Sequence, residues 1–347
     1  MTIETFSYDS IKGVIKVYKL TNASGASVML SSIGAGIISI NVPDRDGIMK
    51  DVVVGYQNIT DYIYDGPCAG KTAGRYANRI AKGEFFVNGV KYSLNCNCGP
   101  NSLHGGPEGF QNQNWDSKIE GNNIVFSYLS KDGEENFPGA INCTVIYEWK
   151  ENNTLKIDFQ ATSDADTVIN LTNHPYFNLK GEGEGDIFEH ILQLNCSHYL
   201  PTDDTLVPTG EYASVNGTPM DFTKPKTIGQ EIHNDFKALK IAKGYDHCWL
   251  ADGYELNTMK EIAILSEQTT GRQLRISSTQ VGAQVYTGNW LNDSPIGKNG
   301  HKYFDYCAIA IECQGLPDAP NKPNFPSQFL KSEETYKQTI EYSFRTI

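Results

Sequence analysis

The chain has 347 residues, with 29 basic against 41 acidic side chains and a net charge of −12. Length alone suggests about two domains, although β-sandwiches and barrels of this size also fold as one. The acidic balance argues against nucleic acid or an anionic membrane surface as the main partner. With 39% hydrophobic and 20% charged residues the composition is that of a globular protein, and no apolar run reaches membrane-spanning length.

Met1 to Ser7 carry no basic stretch followed by an apolar one, so no signal peptide and a cytosolic chain are expected. The cysteines at 68, 96, 98, 143, 196, 248, 307 and 313 include no Cys-x-x-Cys pair. They read as free thiols of a reducing compartment. Short runs rich in β-branched and aromatic residues follow in order: Ile15–Lys19, Val28–Ser32, Asp51–Val54, Ile124–Tyr128, Ile187–Leu194, Ile262–Leu265, Gln273–Ser277, Ala283–Tyr286 and Tyr306–Ile311. Asn88-Gly89 predicts a tight type I′ hairpin between Glu84–Val87 and Val90–Tyr92. Asn152-Asn153 turns Thr144–Lys150 into Thr154–Phe159, and Tyr336–Phe344 alternates as a last strand. Helical signals are short, at Ile59–Tyr64 and Thr227–Ile232. The proline-rich Leu316–Pro323 directly follows a strand and reads as an ordered loop rather than a hinge. The expectation is one large antiparallel β domain over residues 1–347.

Chemistry-bearing residues concentrate in a few places. His104 sits in a turn-rich loop with no apolar period, either serving a site or bonding its own loop. In Leu171–Leu179, Asn173, His174, Tyr176 and Asn178 interrupt an apolar run beside Pro175. Such a cluster is costly unless it meets a polar ligand or satisfies itself in the core. Glu312 ends the apolar run Cys307–Ile311, where a charged group is paired or functional. Asp246 and His247 enter another apolar strand, and Asp at a strand edge is more often a solvated turn former. Arg75 and Arg79 fit one helical turn or a loop facing one site, and such a pair is more often a surface ion pair. No phosphate-binding glycine loop and no Gly-x-Ser-x-Gly is present. His104, His174 and Glu312 lack metal-ligand spacing. A buried carboxylate with a histidine suits general base and acid work, and the surrounding Arg, Asn, Asp, Tyr and Trp suit a hydroxyl-rich sugar.

At six motifs the sequence resembles the aldose 1-epimerases, in particular the galactose mutarotases. These are Gly74-Arg-Tyr-Ala-Asn-Arg-Ile80, Asn101-Ser-Leu-His-Gly-Gly106, Leu171-Thr-Asn-His-Pro-Tyr-Phe-Asn-Leu179, Gly244-Tyr-Asp-His247, Gln284-Val-Tyr-Thr-Gly-Asn289 and Ile311-Glu-x-Gln-x-x-Pro-Asp318. They stand in the family's order and span most of the chain. The resemblance implies an all-β supersandwich, a large antiparallel β-sandwich. It implies interconversion of the α and β anomers of free hexoses such as D-galactose and D-glucose. Glu312 then matches the general base and His174 the general acid, while Asn78, Arg79, His104, Tyr176, Asp246 and Gln284 match residues that hold the sugar or orient the pair. Neither cofactor nor metal is implied, and a monomer or weak homodimer is expected. After Glu312 the chain departs from the family pattern at Cys313-Gln314-Gly315-Leu316, which puts the wall behind the base in question. Two other readings are a hexose-6-phosphate epimerase, which needs converging cations, and a sugar-binding protein, which would have lost the acid or base.

Overall fold

The computed structural model describes residues 1–347 and is almost entirely antiparallel β-structure. Three sheets carry the architecture. Residues 2–51 form a five-stranded meander in chain order. A nine-stranded sheet runs from Asp116–Glu120 at one edge to Lys226–Thr227 at the other. Six strands form the third sheet, in the order Tyr176–Phe177, Ile309–Gln314, Gly282–Tyr286, Asp246–Leu250, His198–Tyr199 and Ala213–Ser214.

Period-2 alternation builds the nine-stranded sheet. In Ile141–Trp149 the odd-numbered positions are all buried and the others mostly half-exposed, so one face lies in the core and the other near solvent. The six-stranded sheet differs, because Ile309–Gln314 is buried at every position. Its Ile309, Ile311 and Cys313 join a 56-residue core with Val285, Ile340, Tyr342 and Phe344, so the two sheets pack face to face. Phe177 makes edge contact with Tyr342 at 5.4 Å between ring centroids. The opposite face of the smaller sheet is covered by loops, and the polar residues project there.

The last strand, Thr335–Thr346, pairs with Thr154–Ser163 on one side and Arg272–Ser278 on the other. It therefore joins the strands from both halves of the chain into one sheet. The Asn88-Gly89 hairpin forms as its sequence predicts, with both residues at positive φ. The two helical signals shrink to 3₁₀ turns at Ile59–Tyr62 and Ile228–Gln230, as their lack of a sustained stripe allows. One short α-helix, Lys237–Ala242, arises where no periodic signal marked it. The strand expected at Asp51–Val54 lies earlier, at Met49–Asp51, and Ile187–Leu194 narrows to Ile191–Leu194. Tyr306–Ile311 shifts toward the C-terminus, so Glu312 lies inside its strand rather than at its end. No helix is long and apolar enough to cross a membrane.

Candidate active site

A cleft of about 290 Å³ opens on the loop-covered face of the six-stranded sheet. Strand register explains its floor. Cys248, Gln284 and Glu312 are paired in one row across three strands, and Asp246, Tyr286, Ala310 and Tyr176 in the next. Residues two apart on a strand share a face, so Gln284 with Tyr286 and Glu312 with Ala310 point the same way. The intervening Val285 and Ile311 point into the core.

All eight residues singled out from the sequence line this cleft: Asn78, Arg79, His104, His174, Tyr176, Asp246, Gln284 and Glu312. Glu312 and His174 are 2% and 4% exposed, with Glu312 Oε1 3.2 Å from His174 Nε2. Glu312 Oε2 and His174 Nδ1 have no partner. Main-chain bonds lock the histidine: its N–H donates to the Lys71 carbonyl at 2.9 Å and its own carbonyl accepts from Gly70 at 2.8 Å. The Tyr176 ring lies 4.8 Å from the imidazole, centroid to centroid, and its hydroxyl donates to the Pro67 carbonyl.

Burial acts on both members of the pair. Desolvation lifts the Glu312 carboxyl well above its usual range, helped by the Asp246 charge and opposed by Arg79. Desolvation also lowers His174 to about 4, although Asp246 pulls the other way. Burial thus favours the neutral form of both groups, protonated Glu312 and unprotonated His174.

The loop side of the cleft is cross-tied. Asn78 and His104 both adopt left-handed backbone, with φ of 65° and 52°. Asparagine tolerates that region and histidine does so less readily. The two residues hold each other in place, since His104 N–H donates to the Asn78 carbonyl and Asn78 N–H to His104 Nδ1, each at 3.1 Å. Desolvation, with nearby His174 and Arg79, keeps His104 well below the usual histidine range and so neutral. With Nδ1 accepting, its one hydrogen sits on Nε2. Ligating atoms of His104, His174 and Glu312 all lie within 4.8 Å of one another. Metal ligation through His104 Nε2 would require that hydrogen to leave while Nδ1 remains occupied, so the donor set fits proton chemistry better than a cation.

Asp246 links the floor to the loops. Its Oδ1 accepts from Gln284 Nε2 at 2.5 Å, and its Oδ2 lies 3.4 Å from Arg79 Nη2. Asp246 is thus a buried member of the network rather than a solvated turn former. Its neighbour His247 points the opposite way and packs between Tyr199 and Trp249. Arg75 and Arg79 are buried, not a surface pair and not on a helix. Arg75 lies away from the cleft, donating to the carbonyls of Pro138 and Gly139. The polar run 171–179 divides likewise. Asn173 and Asn178 bond backbone carbonyls in the core, while His174 and Tyr176 line the cleft. None of Cys313 to Leu316 lines the cleft, and Leu316 joins an apolar cluster with Leu200 and Phe325. The departure after Glu312 therefore lies behind the cleft lining rather than in it.

Tyr286, Trp290, Asp293 and Ser294 also line the cleft and were not singled out from the sequence. Period-2 reasoning from Gln284 would have reached Tyr286. Trp290 stacks on Tyr286 with ring planes 20° apart and lies with Asp293 and Ser294 in a loop that no pattern marks.

The Aldose 1-epimerase family model matches residues 16–343. Galactose mutarotase from Bos taurus is 38% identical over 335 residues, covering 96% of this chain and 94% of its own. Aldose 1-epimerase from Escherichia coli K12 is 35% identical over 332 residues, 95% of each chain. Among solved structures, the aldose epimerase homologue from C. elegans superposes with a TM-score of 0.88 at 28% identity, over 99% of this chain and 100% of that one. The chain belongs to the aldose 1-epimerase family of carbohydrate epimerases.

Proposed function

We propose that the cleft interconverts the α and β anomers of free aldohexoses such as D-galactose and D-glucose, with Glu312 as general base and His174 as general acid. The observation that carries this is the desolvated Glu312–His174 contact at 3.2 Å, between two groups that each keep a free atom. A proton passes from Glu312 to His174 when the sugar enters; Arg79 favours the carboxylate and Asp246 the imidazolium, against the Asp246 charge that also faces Glu312. Glu312 then takes the proton of the anomeric hydroxyl while His174 protonates the ring oxygen. The C1–O5 bond breaks to give the aldehyde, and rotation about C1–C2 presents the other carbonyl face. Reclosure with the roles reversed returns both protons. Charge developing at the ring oxygen is met by the His104 Nε2–H, whose direction the Asn78 amide fixes. Asp246 holds Gln284 and Arg79 so that their remaining donors face the sugar hydroxyls.

Phosphorylated sugars fit less well. The only Arg or Lys side chain lining the cleft is Arg79, already engaged by Asp246, against the acidic side chains of Asp246, Asp293 and Glu312. A phosphate would have no free cation to meet it. The cleft draws residues from Gly66 to Glu312, which supports reading 1–347 as one working domain.

Polarimetry tests this reading. The purified protein should speed the decay of optical rotation of fresh α-D-galactose and α-D-glucose, and leave the 6-phosphates at the spontaneous rate. No acceleration with any free aldose would overturn it.

A further inference from the structure

Asp318 lies outside the cleft, yet it grips the segment that carries Arg79. It is 0% exposed, six residues after Glu312 on the loop leaving that strand. Its Oδ1 accepts from the Ala81 N–H at 3.0 Å and from Asn321 Nδ2 at 2.7 Å, and its Oδ2 lies 3.3 Å from Lys322 Nζ. The Asp318 N–H donates to the Arg79 carbonyl at 2.8 Å. One residue thus holds positions 79 and 81 at once, through its amide and its carboxylate. Its φ of 57° is a conformation that Asp and Asn tolerate better than most residues.

What Asp318 holds is connected to the chemistry by two further links. Arg79 and Ile80 pair with Leu103 and Ser102, so the grip extends to the strand that runs directly into His104. Asn78, the preceding residue, is bonded to His104 through both its amide and its carbonyl. On the other side, Tyr76 donates to the Leu316 carbonyl and accepts from Ala319 N–H, pinning the same loop one turn earlier. The Glu312 strand belongs to the floor of the cleft and the Arg79–His104 ladder to its loop side, and this loop fastens one to the other. Burying a carboxylate is costly, and an apolar residue of similar size would pack at least as well if packing were all that mattered.

We propose that Asp318 is a positioning residue for sugar binding, setting the Arg79 guanidinium and the His104 ring over the Glu312 strand by clamping residues 79–81. The proposal rests on the anomerase reading above for its assay, but not for its binding readout. Asp318→Ala should raise the KM for α-D-galactose about tenfold, the loss of one charge-assisted hydrogen bond, with kcat within about threefold of the parent. Asp318→Asn keeps an oxygen for the Ala81 N–H and should restore KM to within about threefold. Ala81→Pro removes the same bond from the other side, at a position whose preceding residue is already extended (φ −116°, ψ 122°), and should reproduce the KM rise. It also serves if Asp318→Ala fails to fold.

Calorimetric titration with D-galactose should show the same ranking of affinities. If the parent protein binds galactose but does not turn it over, the anomerase reading fails while the ranking still judges the clamp. Parent-like KM and affinity in Asp318→Ala and Ala81→Pro, with only a lowered melting temperature, would overturn the positioning role. So would an Asp318→Asn variant as impaired as Asp318→Ala.

Discussion

Arg75 and Arg79 stand four residues apart on one segment, are both buried, and are used in opposite ways. Arg75 gives its two terminal nitrogens to the carbonyls of Pro138 and Gly139 and the hydroxyl of Ser130, with its guanidinium over the Phe137 ring. Arg79 gives one terminal nitrogen to Asp246 at 3.4 Å and otherwise faces the cleft. Burial is nearly equal, at 2% and 8% exposure, so burial does not tell a structural polar residue from one at a site. The number of acceptors already engaged does. The same division separates Asn178, whose amide is committed on both its atoms, from Glu312 and His174, which each keep a free atom.

The unspent groups should dominate activity. Glu312→Gln should lower kcat by about 10²–10⁴-fold, some 3–5 kcal/mol of barrier, while galactose binding by titration is retained. His174→Asn should fall in the same range. Full activity in both variants would dismiss the assigned roles. The pair also fixes the pH profile. Below about pH 4 His174 takes a second proton while Glu312 keeps its own, leaving no base, so the rate falls on the acid side. Through the raised value of Glu312 the pair loses its single proton, leaving no acid, so the rate falls again on the alkaline side. A kcat profile that falls on both sides, measured by polarimetry, is the expected result.

The two arginines allow a direct crossover. Arg75→Met strands the Pro138 and Gly139 carbonyls and should cost about 3 kcal/mol in denaturant unfolding, with KM unchanged. Arg79→Lys keeps the charge beside Asp246 but loses the planar fork, so KM should rise about tenfold with stability nearly unchanged. If the effects exchange places, counting engaged acceptors is the wrong criterion.

How much of this the sequence carried follows from the range of the forces involved. Local alternation and the Asn88-Gly89 turn located the longer strands of the nine-stranded sheet and the 84–92 hairpin, because period-2 burial and left-handed turn chemistry act over a few residues. Which strands pair is a matter of register across distant segments, and no local pattern placed Thr335–Thr346 between Thr154–Ser163 and Arg272–Ser278. The eight cleft residues came from motifs, where residue type and chemistry coincide. Trp290, Asp293 and Ser294 escaped because a loop has no period to follow. Arg75 and His247 drew attention through the same motifs, and only geometry set them aside.

Tyr176 gives the smallest and narrowest test. Its ring packs on His174 at 4.8 Å and on Tyr286 at 5.9 Å, while its hydroxyl is already committed to the Pro67 carbonyl at 3.0 Å. By the criterion drawn from the arginines, the hydroxyl is spent and the ring does the orienting. Tyr176→Phe keeps the ring and removes only the bond to Pro67, so kcat and KM should stay within about twofold and stability should fall by about 1 kcal/mol. Tyr176→Leu removes the flat surface against the imidazole and should lower kcat more than it raises KM, because the acid loses its alignment while the hydroxyl-binding groups remain. A large KM increase in Tyr176→Phe would mean that the hydroxyl leaves Pro67 to meet the sugar, and would return Tyr176 to the residues that hold the substrate directly.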